Sequence, residues 1–335
     1  MTLLEVAERA GVSLKTAHRA LTGEGYVKDA TRERVRDAAR EVGYRFNASA
    51  SMLKRGVSVR TVALVVSDLQ NPFYSRIASG MEEVLRQAGV GLVLANSDED
   101  PELERRLIDG FVAQRVDAIV VVSTATDHRG LAAVQSTTRL VFVDRAPIGL
   151  EADAVLLDDA AGIARAVEHL AAHGHRRVGF VGDYPRLQTA RERIDAFLAA
   201  ADRLGMESPR ELIRSGGHDT ATAELLTRSL LESADPPTAL VAANNRVAVG
   251  TLQALFAAPA RVAIVGFDDF ELAAALGVSV VRHDPAQLGR EAAQLALKGT
   301  ALEDGARRVL VPTELVARGS GEVPPGGERR IRIAW

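Results

Sequence analysis

Through the first 43 residues apolar positions recur at helical spacing, and from Thr61 onward short β-branched runs alternate with longer amphipathic segments. At the N-terminus, Leu3, Val6, Ala7 and Ala10 share one face of a helix that Thr2 and Glu5 open as a capping box and Gly11 closes. Ser13 caps a second helix, with Ala17, Ala20 and Leu21 facing inward, which ends near Gly23. Asp29 is placed to cap a third, carrying Val35, Ala38, Ala39 and Val42 before Gly43. Two helices joined by a Gly-containing turn of about three residues have helix-turn-helix spacing.

The later pattern predicts strands over Val62–Val66, Gly91–Ala95, Ala118–Val122, Leu140–Val143, Ala154–Leu157, Val178–Val181, Ala239–Val241 and Val262–Val265. Helices fall between them, among them Tyr74–Gln87, Pro101–Ala113, Ala160–Ala172, Thr189–Leu204, Thr220–Glu232 and Arg246–Phe256. That alternation is the signature of βαβ units, hence an α/β chain with doubly wound parallel sheets, split into two lobes. Between head and sensor, residues 47–56 have the length for little more than two helical turns and almost no core face, which suits a hinge. The expected organisation is a helix-turn-helix headpiece over 1–45, a hinge over 46–60, a ligand-binding and dimerisation domain over 61–320 and a flexible tail over 321–335. Within that domain, lobe 1 takes about 61–158 and 286–312, and lobe 2 about 159–285 and 313–320.

Composition changes this picture in three ways. The 335 residues hold no cysteine, which removes disulfides and thiolate metal sites. No apolar run approaches the roughly 20 residues of a membrane helix, and the first eleven residues read as an amphipathic helix rather than a signal peptide. A cytoplasmic protein without membrane contact is expected. The net charge of −3 hides an asymmetry: residues 1–60 carry 12 Lys or Arg against 7 Asp or Glu, and the rest of the chain is acidic. A basic head on an acidic body is what a nucleic-acid-binding module attached to a different machine shows.

Ordered motifs then sharpen the reading. Leu4-Glu5-Val6-Ala7, Ala10-Gly11-Val12-Ser13, Thr16 and Arg19 are followed by Thr31-Arg32-Glu33-Arg34-Val35, Gly43-Tyr44 and Asn47 with Ala50 and Leu53. Asn71-Pro72-Phe73-Tyr74, Asn96-Ser97-Asp98-Glu99-Asp100, Val143-Asp144-Arg145, His173-Gly174-His175-Arg176-Arg177-Val178 and Arg191-Glu192-Arg193 come next. Gly266-Phe267-Asp268-Asp269 and Arg318-Gly319-Ser320 close the series. Across residues 2–320 the chain resembles the LacI/GalR family of bacterial regulators, whose sensor is similar to periplasmic sugar-binding proteins.

That resemblance implies a sequence-specific transcription regulator, with repressor as the expected mode, and no enzyme or cofactor. On the same resemblance it would act as a homodimer on an inverted-repeat operator under control of a monosaccharide or close derivative. The second helix would enter the major groove: Leu14, Lys15, His18 and Arg19 form one outward stripe, and Ser13 and Thr16 are placed for phosphate. His18 stands where the family usually has Ser. The hinge would read the minor groove through Asn47, Ala50 and the wedge residue Leu53, which could alternatively pack on the sensor. In the sensor, Asn71, Phe73, Tyr74, Asp144, Arg145, Arg193, Asn244 and Asp268 fall at strand ends or early in the next helix, where hydroxyl-binding charges and an aromatic face suit a sugar. Each could instead be a buried ion pair or cap. His283, where Gln is common, either bonds the ligand or caps a strand, and Asn245 replaces Asp at an expected capping position.

Rival classes leave no trace. The first strand leads into Ser67-Asp68-Leu69-Gln70-Asn71-Pro72 with no glycine-rich phosphate turn, and Walker A, nucleophile-elbow and H-E-x-x-H patterns are missing. His173 and His175 sit two apart in a loop, a poor zinc arrangement and a better helix end.

Overall fold

A computed structural model of the chain describes residues 2–23, 25–44, 60–258, 261–299 and 305–326. They fall into two units, one within residues 1–59 and one from residue 60 onward. The first unit is three helices, α1 (Leu3–Arg9), α2 (Leu14–Thr22) and α3 (Asp29–Glu41), around a small core of Val6, Ala7, Ala17, Ala20, Val35 and Ala38. The caps of the first two helices form as expected. Thr2 and Glu5 exchange their capping bonds, and Ser13 Oγ accepts the Thr16 N–H at 3.1 Å. Asp29 differs from expectation: Lys28 holds the cap position of α3 without a side-chain bond. Asp29 is the first helical residue, where its charge meets the helix dipole and pairs with Arg32 at 3.0 Å.

The second unit carries two six-stranded sheets. The first orders β11-β5-β4-β3-β1-β2, all parallel, from β1 (Thr61–Val66), β2 (Gly91–Asn96), β3 (Ala118–Val121), β4 (Arg139–Val143), β5 (Asp153–Leu157) and β11 (Arg308–Val311). The second orders β12-β10-β9-β8-β6-β7, from β6 (Val178–Val181), β7 (Ile213–Arg214), β8 (Ala239–Ala242), β9 (Ala263–Phe267), β10 (Ser279–Arg282) and β12 (Glu314–Val316). Only the β10–β12 pair in it is antiparallel. Helices α4 (Pro72–Gln87), α5 (Pro101–Ala113), the short α6 (Ala132–Gln135) and α11 (Pro285–Ala296) serve the first sheet. Helices α7 (Asp159–Ala172), α8 (Gln188–Arg203), α9 (Thr220–Leu231) and α10 (Asn245–Ala257) serve the second. The chain passes between sheets three times: after β5, after β10 and after β11.

The central strands β1, β3, β6, β8 and β9 are buried on both faces, which is why they read as near-continuous apolar runs, with Gly and Phe among the residues of β6 and β9. The strands that the pattern did not predict, β7, β10, β11 and β12, are short, and all but β10 lie at sheet edges. Arg308–Val311 and Glu314–Val316 alternate exposure too weakly to announce a strand by themselves.

Two glycines set the closest helix contact. A Cβ on Gly80 of α4 would lie 2.0 Å from the Ala286 carbonyl oxygen, and one on Gly289 of α11 would lie 2.0 Å from that of Ile77. The expected flexible tail is corrected for its first residues. Val323 is buried, its carbonyl oxygen lies 2.7 Å from His175 Nε2, and the Glu322 carboxylate lies 2.7 Å from His169 Nε2 and accepts from the Ser279 hydroxyl. A segment rich in Pro and Gly is therefore pinned to the second lobe by paired polar groups. The paired histidine motif thus serves a helix end and the segment around Val323.

Candidate functional site

In the head, Ala17 and Ala20 turn α2 against its neighbours, which leaves Leu14, Lys15 and Arg19 exposed and Thr16 and His18 half-buried. Leu14 is 48% exposed, an apolar side chain held in water at the start of the helix. Ser13 is committed to capping, and its hydroxyl also meets that of Thr16 at 2.8 Å. Tyr26, which the pattern did not single out, stands 88% exposed in the turn after α2. Asn47, Ala50 and Leu53 lie outside the described residues.

In the sensor, a cleft opens where the carboxyl ends of the two sheets face each other. Asn71, Phe73 and Tyr74 enter it from the start of α4, Asp144 and Arg145 from the end of β4, and Arg193 from α8. Asn244 arrives after β8 and Asp268 after β9. Asp144 and Asp268 hold φ angles of 70° and 69°, and Glu99, also in the cleft, 55°. Such left-handed backbone costs about 1–3 kcal/mol per residue and is kept where it aims a side chain.

The charges are arranged in pairs. Arg145 forks onto Glu99 at 2.7 and 3.0 Å and donates to the Ser123 carbonyl at 3.0 Å. Arg193 donates to Asp159 and to the Ala243 carbonyl at 2.7 Å, with its guanidinium 4.0 Å from the centre of the Phe267 ring. Asp183 accepts from Asn244 Nδ2 at 3.0 Å and pairs with His218 at 3.0 Å, and this hydrogen bond holds the His218 imidazole above its ordinary pKa. Burial pushes the Tyr74 hydroxyl well above its usual range and the Asp144 carboxyl up to about 6, against the pull of Arg145 and Arg193.

Several expected roles change. His283 does not line the cleft: its ring lies behind Asp268, with Nε2 2.7 Å from the carboxylate and its edge against Phe73. Its contact in the structure is with a carboxylate of the cleft. Asn245 is not the cap of α10; Asn244 is, accepting the Val247 N–H at 2.9 Å. Asn245 Nδ2 instead donates to Asn71 Oδ1 across the lobes at 2.8 Å. Asp68, Glu99, Asp183, Thr189, His218 and Arg246 also line the cleft and were not anticipated. Asp68, Glu99 and Asp183 follow strand ends, so the strand-end rule could have found them. Arg246, at the start of α10 after β8, carries the same signal, whereas His218 follows β7, a strand the pattern did not predict.

Arg246 of the second lobe meets Asp68 of the first at 2.6 Å, and the cleft behind it leaves about 40 Å³, room for a few waters and not for a sugar ring. The lobes must therefore part to admit a ligand. A partly exposed pair of this kind is worth about 1 kcal/mol, so Arg246→Ala should shift the balance towards open lobes about fivefold. Amide hydrogen exchange at residues 68–71 and 244–246 should rise accordingly, and unchanged exchange would show that the pair does not hold the lobes.

Comparison with known proteins decides what this arrangement belongs to. Residues 2–47 match the family model "Bacterial regulatory proteins, lacI family", and residues 59–318 match "Periplasmic binding proteins and sugar binding domain of LacI family". The chain belongs to the LacI family. It is 31% identical over 334 residues to the HTH-type transcriptional regulator GalS of Salmonella typhimurium, covering 96% of each chain. To the HTH-type transcriptional repressor PurR of Mannheimia succiniciproducens it is 26% identical over 328 residues, covering 95% of this chain and 98% of that one. Among solved structures, the transcriptional regulator CelR in complex with cellobiose matches with TM-score 0.69 at 28% identity over 96% of this chain and 99% of that one. The Lac repressor dimer bound to operator and anti-inducer has the same fold, with TM-score 0.77 at 23% identity over 96% and 99%. This LacI-family member is a DNA-binding transcription regulator with a ligand-binding sensor, not an enzyme. No helix among its described residues is long and apolar enough to cross a membrane.

Proposed function

We propose that this LacI-family chain works in the cytoplasm as a homodimeric repressor of an inverted-repeat operator, read by α2 and released or tightened by a sugar-like effector held between the sensor lobes. The observation that carries the reading is the cleft itself: buried charges from five separate chain segments converge on one small space at the strand ends. Ligand hydroxyls, able to donate and to accept, match such a lining, with Phe73 or Tyr74 for the apolar ring face. CelR, solved with cellobiose, supports the ligand class, and the operator-bound Lac repressor dimer supports the assembly. A hollow on the second lobe, lined by Leu252, Phe256, Phe270, Leu272 and Leu276, suits the partner subunit; Leu272 is 61% exposed. The hinge roles of Asn47, Ala50 and Leu53 rest on the family resemblance. Coupling must be reciprocal: whatever factor the effector applies to operator affinity, the operator applies to effector affinity.

On α2, Arg19 has the reach and the planar fork to bind a guanine edge, and Lys15 supplies a point charge for bases or phosphate. Arg19→Ala should weaken binding to a site selected from a randomised duplex pool by about 1–3 kcal/mol per half-site. Fluorescence anisotropy on the selected and on a scrambled duplex measures this. An equal loss on both would mean that Arg19 only meets phosphate.

A further inference from the structure

Five carboxylates, Asp68, Glu99, Asp144, Asp183 and Asp268, line the cleft, facing three guanidiniums and the His218 imidazole. Four of those carboxylates are already satisfied. Glu99 is forked by Arg145, Asp68 is bonded by Arg246, Asp183 by His218 and Asn244, and Asp268 by His283 and the Asn245 N–H at 3.1 Å. Each guanidinium already serves a carboxylate too, Arg193 through Asp159, which lies behind it, although Arg145 Nε has no hydrogen-bond partner among the described residues.

Asp144 is left over. It is 7% exposed, and the nearest cation is Arg145 Nε at 3.8 Å, too long for a hydrogen bond. Among the described residues no donor reaches its carboxylate. A largely buried carboxylate without a protein donor depends on what the cleft itself holds, water or a ligand, and its left-handed backbone adds to the cost of keeping it there. The arrangement makes sense if the missing partner arrives with the ligand. A neutral hydroxyl would donate one hydrogen bond but leave the surplus negative charge in place. An anionic group would add to the surplus, since each arginine already serves a carboxylate. An ammonium supplies both the donor and the charge.

The geometry assigns Asp144 as the charge-selecting residue of the sensor, so that the cleft takes an aminated polyol, with its ammonium on Asp144, in preference to the neutral sugar and to a phosphorylated one. This rests on the cleft being the effector site, and the test separates the two statements. Full-length protein is titrated calorimetrically with matched sets: glucosamine, glucose and glucose 6-phosphate; galactosamine, galactose and galactose 6-phosphate; and ribosylamine-type and parent pentoses. Putrescine, an amine without hydroxyls, completes the panel.

In at least one set the amino sugar is expected to bind tenfold or more tighter than its neutral parent, with no binding of the phosphorylated member. Asp144→Asn, which keeps the shape and tolerates a positive φ, should bring that ratio close to one. Thermal melting of the variant verifies that it is folded. The preference should also fade as pH falls through about 6, where Asp144 takes up a proton. The other groups facing Asp144 are Tyr74 on α4, Glu99 after β2, Arg145 beside it, Asp159 on α7, Arg193 on α8 and Asp268 after β9. A neutral or phosphorylated sugar that binds as tightly as the amine, or a ratio that survives Asp144→Asn, overturns the charge assignment and leaves the cleft reading standing. Putrescine binding as well as the amino sugar overturns the polyol half. If a sugar binds and neither Asp144→Asn nor Arg193→Ala alters its affinity, the cleft is not the effector site and both statements fall. No binding by any member overturns the assignment.

Discussion

Gly289→Ala should lower the melting temperature of the sensor by about 8 °C or more, corresponding to a loss above about 4 kcal/mol. Helices α4 and α11 cross with Gly80 and Gly289 at the contact, and the added methyl would lie 2.0 Å from the Ile77 carbonyl oxygen. A backbone oxygen cannot swing aside as a side chain can, so the whole helix must move away and open the core around Ile77, Met81 and Leu288, all fully buried. The same substitution has a favourable part, because alanine is about 1 kcal/mol better than glycine inside a helix. Gly110→Ala isolates it: Gly110 sits in α5 with nothing within 4 Å of its would-be Cβ, so that variant should gain about 0.5–1 kcal/mol. Differential scanning calorimetry of the two variants makes the comparison. If Gly289→Ala also stabilised the protein, the α4–α11 contact would not be as close as described.

Arg193→Ala should act on both stability and ligand response. The side chain is 7% exposed and bonds Asp159, itself 4% exposed, and the Ala243 carbonyl. Removing one partner of a buried pair strands the other charge, at a cost of about 3–5 kcal/mol. Loss of a charged contact to a bound polyol should weaken it by about 1.5–3 kcal/mol, roughly 10- to 150-fold. The two effects can be separated, because Arg193→Ala with Asp159→Asn no longer buries a lone charge. That double variant should recover much of the melting temperature and none of the ligand affinity. Calorimetry showing full affinity in the double variant would make Arg193 a structural residue only.

The residues differ in how openly their roles could be read. The head was legible because its instructions are local: Ser13, Gly23 and the Ala17/Ala20 face lie within one helix and its caps. Central strands were legible for a related reason, since a strand covered on both faces must be apolar throughout. Asp144, Arg145 and Asp268 could be named because the family resemblance implies contacts at those motif positions, and because doubly wound sheets put sites at strand ends. Asp29 was misread because a single acidic residue serves equally as a cap or as a first-turn charge.

What the sequence by itself determined, then, is most of what near neighbours set: the caps of the first two helices, buried-strand runs and the α/β alternation. Tertiary structure alone decided how distant segments meet. Asn245 became a bridge to Asn71 and Arg246 a bridge to Asp68, each 174 and 178 residues away, because only lobe closure brings those positions together. His283 turned from the cleft because the parallel register of β9 with β10 sets it behind Asp268. At positions 80 and 289 the room for a side chain is removed only where two helix backbones touch. Local propensity acts over a few residues, whereas pairing across lobes depends on a packing geometry that no short window of sequence contains.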